Sequence, residues 1–207
     1  MEEIRIHGRG GQGSVTAAFL LAEAAFYDGK YAQAFPSFGV ERRGAPVASF
    51  VRISDTPIRL REQIYHPDYV IIQDASLIPK VDVFSGIKKN TLIIINTEKS
   101  KKELLSKIDN KKISKNIFLL PATEIALKII KKPIVNTIMI GAFVAVTNLI
   151  NFDSLKRAIK ERFPKEIAKQ NIKAVEFAFK YMKKEIEFKP KIHEQMIENK
   201  ERFAVSS

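Results

Sequence analysis

The sequence predicts an α/β fold: a three-layer α/β/α domain with a mixed, largely parallel sheet and a Rossmann-like start. Three observations lead to this prediction. Short apolar runs typical of buried strands alternate with longer helical patterns. The first strand leads through a glycine-rich turn into a helix, as in nucleotide-binding folds. The chain has 207 residues, 45% of them hydrophobic, which is enough for one α/β domain with a sizeable core.

Six segments are predicted as strands because their apolar residues alternate or run continuously. The second and third lie close together in the chain, which allows an antiparallel or mixed edge to the sheet. The predicted strands are residues 3–7, 30–35, 47–54, 69–73, 92–96 and 117–120.

Five segments are predicted as helices: residues 14–27, 123–131, 137–150, 153–163 and 165–186. The third lies in the longest apolar stretch of the chain, which is too short and too often interrupted by polar residues and glycine for a membrane span. We therefore expect it to be a buried helix. Asp153 is the expected N-cap of the fourth. Residues 1–187 are predicted to form a single domain, and residues 188–207 a peripheral C-terminal arm.

Composition excludes several classes of site. The chain has no cysteine, so it cannot form disulfides, ligate iron–sulfur clusters or use a thiol nucleophile. Three histidines make a histidine-rich metal site unexpected. The acidic start of the chain does not resemble a signal peptide, and we expect a cytoplasmic protein with no membrane segment.

The net charge of +12 comes entirely from residues 99–207, because residues 1–98 carry equal numbers of acidic and basic side chains. The lysines of the second part are not interleaved with aromatic residues, and no helix-turn-helix, RNA-binding or zinc-finger pattern occurs. Nucleic acid is therefore not an expected partner. A solvated lysine face is the first interpretation, and attraction to an acidic protein is the second.

The first chemical signal is a glycine-rich turn predicted at residues 8–13, between the first strand and the first helix. Gly8, Gly10 and Gly13 have the spacing of a dinucleotide-binding motif, and Gly11 and Gln12 complete the turn. Glycine allows a close approach of backbone to ligand, and the unpaired N–H groups at a helix N-terminus favour an anion. A tight turn packed against another subunit would need the same residues.

The surrounding sequence argues against NAD and against a P-loop. A dinucleotide fold places an acidic residue at the end of the second strand, and residues 31–36 contain none. No Gly-Lys-Ser/Thr follows the turn. A stand-alone nucleotide-binding protein that uses this turn remains the alternative interpretation.

The second signal is the loop at residues 35–47, in which two prolines and two glycines predict a defined conformation. Arg42 and Arg43 offer planar donors for a carboxylate or a phosphate. Glu41 is placed to orient one of them through an ion pair. Equally, these arginines can be solvated side chains of a structural loop.

Taken together, these two motifs resemble the gamma subunit of 2-oxoacid:ferredoxin oxidoreductases, and most closely that of the pyruvate:ferredoxin or pyruvate:flavodoxin enzymes. The run from Ala34 to Gly39 and the run from Glu41 to Pro46 carry the likeness. It extends over residues 3–180, with one departure at Ala178, where the family pattern has glycine. Further matching positions are Pro67, Asp68, Tyr69, Pro133, Asn136, Thr137, Gly141, Ala142, Asn171, Ala174 and Phe177.

This resemblance implies a subunit of a larger enzyme that oxidatively decarboxylates a 2-oxoacid with coenzyme A, giving acyl-CoA, CO2 and reduced ferredoxin. Thiamine diphosphate, Mg and iron–sulfur clusters are then carried by other subunits, of alpha, beta and delta type, and ferredoxin or flavodoxin is reached through the complex. Pyruvate is the first expected substrate and 2-oxoisovalerate the second. Pairing of the isolated chain with a second copy is also left open.

Within such an enzyme, this chain is expected to act in assembly and active-site capping, with no catalytic residue of its own. The candidate coenzyme A contacts are the turn and the arginine pair, which are alternatively subunit contacts: Gly8, Gly10, Gly11, Gln12, Gly13, Arg42 and Arg43.

Three further features have two interpretations each. His7 either meets a phosphate beside the glycine turn or hydrogen-bonds to the backbone. Asp74 either lies in a ligand crevice at the end of a buried strand or caps a helix that begins at Ala75. Asn136 and Thr137 either cap the apolar helix, the preferred interpretation, or touch a partner's cofactor.

Overall fold

The computed structural model describes residues 1–37, 42–106 and 116–187. The part of the predicted loop from Phe38 to Glu41 and the predicted C-terminal arm lie outside the described residues. The strands are β1 (Glu2–Arg9), β2 (Tyr31–Pro36), β3 (Pro46–Ser54), β4 (Tyr69–Ile72), β5 (Leu92–Asn96) and β6 (Ile117–Leu120). The helices are α1 (Ser14–Tyr27), α2 (Lys101–Leu105), α3 (Ala122–Ile129), α4 (Asn136–Thr147), α5 (Phe152–Arg162) and α6 (Lys165–Glu187), with a 3-10 turn at Ala75–Leu77.

All six described strands form one sheet in the order β2-β3-β1-β4-β5-β6. The β1, β4, β5 and β6 strands run parallel to one another, whereas β3 runs antiparallel to both β1 and β2. This confirms a mixed, mostly parallel sheet with an antiparallel edge. It also places the carboxyl ends of β1, β4 and β5 together, next to the start of β3.

The two faces of the sheet are covered unequally. One face packs against α1, α3, α4, α5 and α6 through a core that includes Ile4, Ile71 and Ile94. The other face, with Val70, Ile72 and Ile93, is covered by residues 75–87 and by α2. The third layer of the predicted α/β/α domain is therefore thin, and it contains no long helix within the described residues.

The apolar helix α4 is buried along residues Asn136–Val146, as its composition predicts. It packs mainly against α6. No helix in the described part of the chain is long and apolar enough to cross a membrane.

Asp153 is not the N-cap of α5, which corrects the sequence prediction. The N-cap is Asn151, whose side chain accepts a hydrogen bond from the Asp153 N–H at 2.9 Å. Asp28, at the end of α1, accepts the Asn151 N–H at 2.6 Å and so fixes the helix start two residues earlier. Asp153 instead forms a first-turn ion pair with Lys156 at 2.6 Å.

Two basic side chains of β1 lie on the thinly covered face, of which Arg5 is buried and His7 is half-buried. Arg5 donates to the carbonyl oxygens of Val83, at 3.2 Å, and Ser85. His7 lies on the same face, because alternate residues of a strand point the same way. Its Nε2 is buried and has no hydrogen-bond partner among the described residues. Burial, and after it the charge of Arg5, lowers the pKa of His7 to about 3.

We therefore predict that His7 makes the fold sensitive to acid. An imidazole that titrates near pH 6.5 in the unfolded chain but only near pH 3 in the folded one favours unfolding between these values. Its contribution to stability is complete above pH 6.5 and is lost as the pH falls towards 3, by at most about 1.4 kcal/mol per pH unit. Urea unfolding between pH 8 and pH 4 measures this slope.

The variants His7→Gln and His66→Gln separate this effect from general acid sensitivity. The His7→Gln substitution removes the titrating group and is expected to flatten the dependence of stability on pH. The His66→Gln substitution, at an exposed residue, is expected to leave that dependence unchanged. Equal slopes for the wild type and His7→Gln would contradict the prediction.

Candidate functional site

The glycine-rich turn is shorter than the sequence predicts, because Gly8 and Arg9 belong to strand β1. They pair with Val47 and Pro46 of β3, a long-range pairing that the local pattern does not show. The turn is thus formed by residues 10–13, and it is closed by a 2.9 Å hydrogen bond from the Gln12 N–H to the Arg9 carbonyl.

Gly10 joins this turn to residues 42–45, which we call the arginine loop, so the structure brings described parts of the two predicted motifs together. Its N–H donates to the Ala45 carbonyl at 2.9 Å, and its carbonyl accepts the Gly44 N–H at 3.0 Å. A β-carbon on Gly10 would lie 2.3 Å from the Arg42 carbonyl oxygen. Only glycine allows the backbones to approach this closely.

Arg42 and Arg43 are both exposed. The Arg43 side chain passes close to the turn, since its Cγ lies 3.9 Å from the β-carbon position of Gly11. Among the described residues, neither guanidinium has a hydrogen-bond or ion-pair partner. Glu41, the predicted partner of one of them, lies outside the described residues.

The turn ends at the N-terminus of α1. Gly13 is the N-cap of this helix, in the left-handed conformation with a φ of 76°. The first N–H groups of a helix have no acceptor within it, and they add a partial positive charge. We call the turn residues 10–13, together with Arg42 and Arg43, the cationic surface.

Arg9 is a central residue of this region that the sequence analysis missed. Its Nε donates to Asp74 Oδ2 at 2.7 Å, its Nη1 to the Gly44 carbonyl at 3.0 Å and its Nη2 to Ser76 Oγ at 2.7 Å. These three acceptors lie 35 to 67 positions away in the chain, so no motif spacing could have indicated them.

A crevice of about 590 Å³ opens at the carboxyl ends of β4 and β5. Gln12, Asp74, Asn96 and Thr123 line it, among other residues. Parallel sheets bind ligands at this edge, and the placement of Asp74 agrees with the first of its two interpretations.

The second interpretation of Asp74 also holds, since its Oδ1 accepts the Ser76 N–H at 2.9 Å and caps the 3-10 turn. Burial acts to raise the pKa of Asp74. Hydrogen bonds from Ser76 and Arg9 outweigh this effect, so the pKa lies below its usual value. Asp74 is therefore an anchoring carboxylate at neutral pH.

Gln73 is a second residue that sequence reasoning did not single out. It is 1% exposed, and its Oε1 accepts the Ser14 hydroxyl at 2.7 Å. A β-carbon on Gly8 would lie 2.2 Å from Ser14 Oγ and 2.6 Å from Gln73 Oε1. Gly8 therefore leaves space for a buried hydrogen bond, and this structural role differs from the predicted ligand contact.

Asn136 and Thr137 contribute to the scaffold of the site. The Asn136 side chain accepts the Thr137 N–H at 2.9 Å and donates to the Gly13 carbonyl at 3.3 Å, so it supports the turn. The preferred interpretation as a helix cap is wrong, because the N-cap of α4 is Val135 and no side chain caps it. The Thr137 hydroxyl donates to Asn171 at 2.7 Å.

The His7 side chain makes no hydrogen bond within the described residues and lies on the sheet face opposite α1. The backbone hydrogen bond predicted for His7 is therefore not formed within these residues, and its contact with a phosphate stays a prediction.

The arrangement of the sheet differs from that of a dinucleotide fold. Strand β3 lies between β1 and β2, so the end of β2 is two strands, or about 10 Å, from the glycine turn. It also carries no acidic residue. In the part of the chain that the structure describes, no three His, Asp or Glu side chains form a possible metal site.

Comparisons with known proteins agree with the resemblance seen in the sequence. A family model described as pyruvate ferredoxin/flavodoxin oxidoreductase matches residues 3–181. The pyruvate/ketoisovalerate oxidoreductases common subunit gamma of Thermococcus litoralis is 54% identical over 179 residues, which cover 86% of this chain and 96% of that protein. Pyruvate synthase subunit PorC of Methanothermobacter marburgensis is 53% identical over 183 residues, covering 88% and 98%.

A solved structure confirms the likeness in three dimensions. Pyruvate oxidoreductase subunit PORC of Thermotoga maritima is 36% identical, with a TM-score of 0.74 and coverage of 86% of this chain and 95% of that one. The family match spans most of the sequence, including both motifs of the cationic surface. The chain therefore belongs to the pyruvate ferredoxin/flavodoxin oxidoreductase family, as a gamma subunit of a pyruvate/2-oxoacid ferredoxin oxidoreductase.

Proposed function

We propose that this subunit helps to assemble the oxidoreductase and caps its active site, and that its cationic surface binds phosphate groups of coenzyme A. The complete enzyme would convert a 2-oxoacid and coenzyme A into acyl-CoA and CO2, with the two electrons passing to ferredoxin or flavodoxin. The observation that carries the proposal is the contact of Gly10 with the arginine loop, because it brings the backbone of two exposed arginines to the turn that leads into α1.

The chemistry of this surface suits a phosphate ligand. Arginine presents planar pairs of donors that match phosphate oxygens, and the N-terminus of α1 adds backbone donors. Neither Arg42 nor Arg43 has a hydrogen-bond acceptor among the described residues. Both guanidinium groups can therefore donate hydrogen bonds to an external anion. A 2-oxoacid offers a single carboxylate, whereas coenzyme A carries several phosphate groups, which suit a surface with two arginines better.

The remaining cofactors are proposed to lie on other subunits. The chain has no cysteine, and cysteine thiolates are the usual ligands of iron–sulfur clusters. We therefore assign the iron–sulfur clusters, thiamine diphosphate and Mg to alpha-, beta- and delta-type partners in a cytoplasmic complex. This chain would contribute contacts between subunits and would cover the active site, without supplying a catalytic residue.

Pyruvate is the proposed 2-oxoacid, with 2-oxoisovalerate second. The relative from Thermococcus litoralis is named as a subunit common to pyruvate and ketoisovalerate oxidoreductases, and the one from Methanothermobacter marburgensis as a pyruvate synthase subunit. A subunit shared by two such enzymes does not select between their substrates. This supports a role for the chain toward coenzyme A, which both reactions would share.

Removal of the Arg43 side chain is predicted to weaken coenzyme A binding. In the assembled enzyme, Arg43→Ala is expected to raise the KM for coenzyme A by about 10- to 100-fold, because a charge-assisted hydrogen bond contributes roughly 1.5–3 kcal/mol. The KM for pyruvate is expected to stay within about twofold. Steady-state kinetics with each substrate varied in turn measures both values.

Arg59→Ala is the matched control, because Arg59 is an exposed arginine in the connection between β3 and β4. That connection begins and ends at the opposite end of the sheet, where Ile53 pairs with Glu2 and Tyr69 with Ile4. Equal effects of Arg43→Ala on both substrates, or loss of a subunit from the complex, would show that Arg43 is an interface residue.

A second prediction concerns the contact between the two motifs. Gly10→Ala is expected to displace the arginine loop, because the new methyl group meets backbone atoms that cannot rotate away. A shift of about 1 Å in a binding group can cost tenfold or more in rate or affinity. We expect the KM for coenzyme A to rise at least tenfold, with the subunit still folded and assembled.

Gly29→Ala provides the comparison for this variant. Gly29 has a positive φ, of 76°, and a β-carbon there meets nothing within 4 Å. Its substitution should cost about 1–2 kcal/mol of stability through backbone strain alone and leave both KM values unchanged. A normal coenzyme A KM in Gly10→Ala would refute the proposed dependence on this contact.

A further inference from the structure

Arg9 connects three separate segments of the chain. Its side chain reaches the loop before β3 through the Gly44 carbonyl, and the turn after β4 through Asp74 and Ser76. Its own backbone is tied to the glycine turn, since its N–H donates to Gln12 Oε1 at 2.8 Å. About 20% of the side chain is exposed.

The loop that carries Arg42 and Arg43 has few other attachments within the described residues. Two backbone hydrogen bonds link it to Gly10, and one, from the Ala45 N–H to the Arg42 carbonyl, closes it on itself. Residues 42–44 are exposed, so no packed side chain holds them. Arg9 supplies the only described side-chain hydrogen bond to this stretch.

The chemistry of this anchor requires arginine. Three nitrogens of one planar group meet acceptors at 2.7, 3.0 and 2.7 Å, and the ammonium of lysine cannot reproduce such a fork. Asp74 stays ionised because its pKa is lowered by hydrogen bonds from Ser76 and Arg9, which outweigh the effect of burial. The ion pair therefore fixes the guanidinium, and the guanidinium in turn fixes the Gly44 carbonyl.

We propose that Arg9 is a positioning residue, which holds the arginine loop at a set distance from the crevice at the end of β4 so that Arg42 and Arg43 meet their anionic ligand. Each of its three nitrogens already has an acceptor in the protein, so it acts through the loop. That the ligand is coenzyme A rests on the proposed function, whereas the anchoring of the loop does not.

The test uses the assembled enzyme with Arg9→Gln and Arg9→Lys, and with Arg162→Gln as the matched control. Arg162 also pairs with an acidic residue across two elements, Glu23 at 3.1 Å, but on α5, away from the loop. Two quantities are measured: amide hydrogen exchange of residues 42–48, and the KM values for coenzyme A and pyruvate.

We expect exchange of the Gly44 and Ala45 amides to become about tenfold faster in Arg9→Gln, because the loop opens more often once its anchor is removed. In Arg9→Lys the lysine keeps one attachment, so the exchange rate of these amides is expected to lie between those of Arg9→Gln and the wild type. The KM for coenzyme A should rise in the same order, without a change in the KM for pyruvate or in the melting temperature beyond that of Arg162→Gln.

The two readouts separate this inference from the proposed function. Unchanged exchange at Gly44 and Ala45 in both Arg9 variants would overturn the inference, whatever the kinetics show. Faster exchange confined to the loop with an unchanged coenzyme A KM would support the anchoring and contradict coenzyme A as the ligand. A general loss of protection, with both KM values raised equally, would show a purely structural residue and also overturn the inference.

Discussion

The close approach of the Gly10 backbone to the arginine loop is the constraint on which the rest of the site depends. Strand β1 pairs with β3 up to Arg9 and Pro46, and Gly10 continues this pairing to Gly44 and Ala45. A side chain at position 10 would separate the two backbones. Because the glycine turn also begins α1, one pairing fixes both the helix N-terminus and the exposed arginines.

The location of the site differs from what the net charge suggests. All of the excess positive charge lies in residues 99–207, whereas the cationic surface is formed by residues of the neutral first part. Its charge is local: two arginines without a described partner beside a helix end, next to an Arg9–Asp74 pair that neutralises itself. The helices α4 to α6 instead form the support, with Asn136 reaching the Gly13 carbonyl.

Most of the fold could be predicted from the sequence because its strands are short, apolar and separated by helices with clear periodicity. The errors occur where long-range contacts decide the outcome. Strand β1 extends to Arg9 because β3 pairs with it there, and α5 begins before Asp153 because Asp28 binds Asn151. No local pattern contains either fact.

The candidate site was predictable only in part, again because local patterns do not show long-range contacts. The two loop motifs could be recognised one by one, and their residue types indicated an anion. Their contact through Gly10, and the roles of Arg9 and Gln73, depend on positions that meet only in the folded chain. Gly8 is a case in which the motif misleads. Its place in the glycine motif suggests a ligand contact, whereas in the fold it leaves space for the Ser14–Gln73 hydrogen bond.

A structure of the assembled oxidoreductase with coenzyme A bound would show which ligand meets the cationic surface. We predict phosphate oxygens of the nucleotide within hydrogen-bond distance, about 3 Å, of Arg42, Arg43 or the N–H groups at the start of α1, with the Gly10 and Arg9 contacts to the loop retained. Coenzyme A bound elsewhere, with both arginines buried against another subunit, would contradict this prediction.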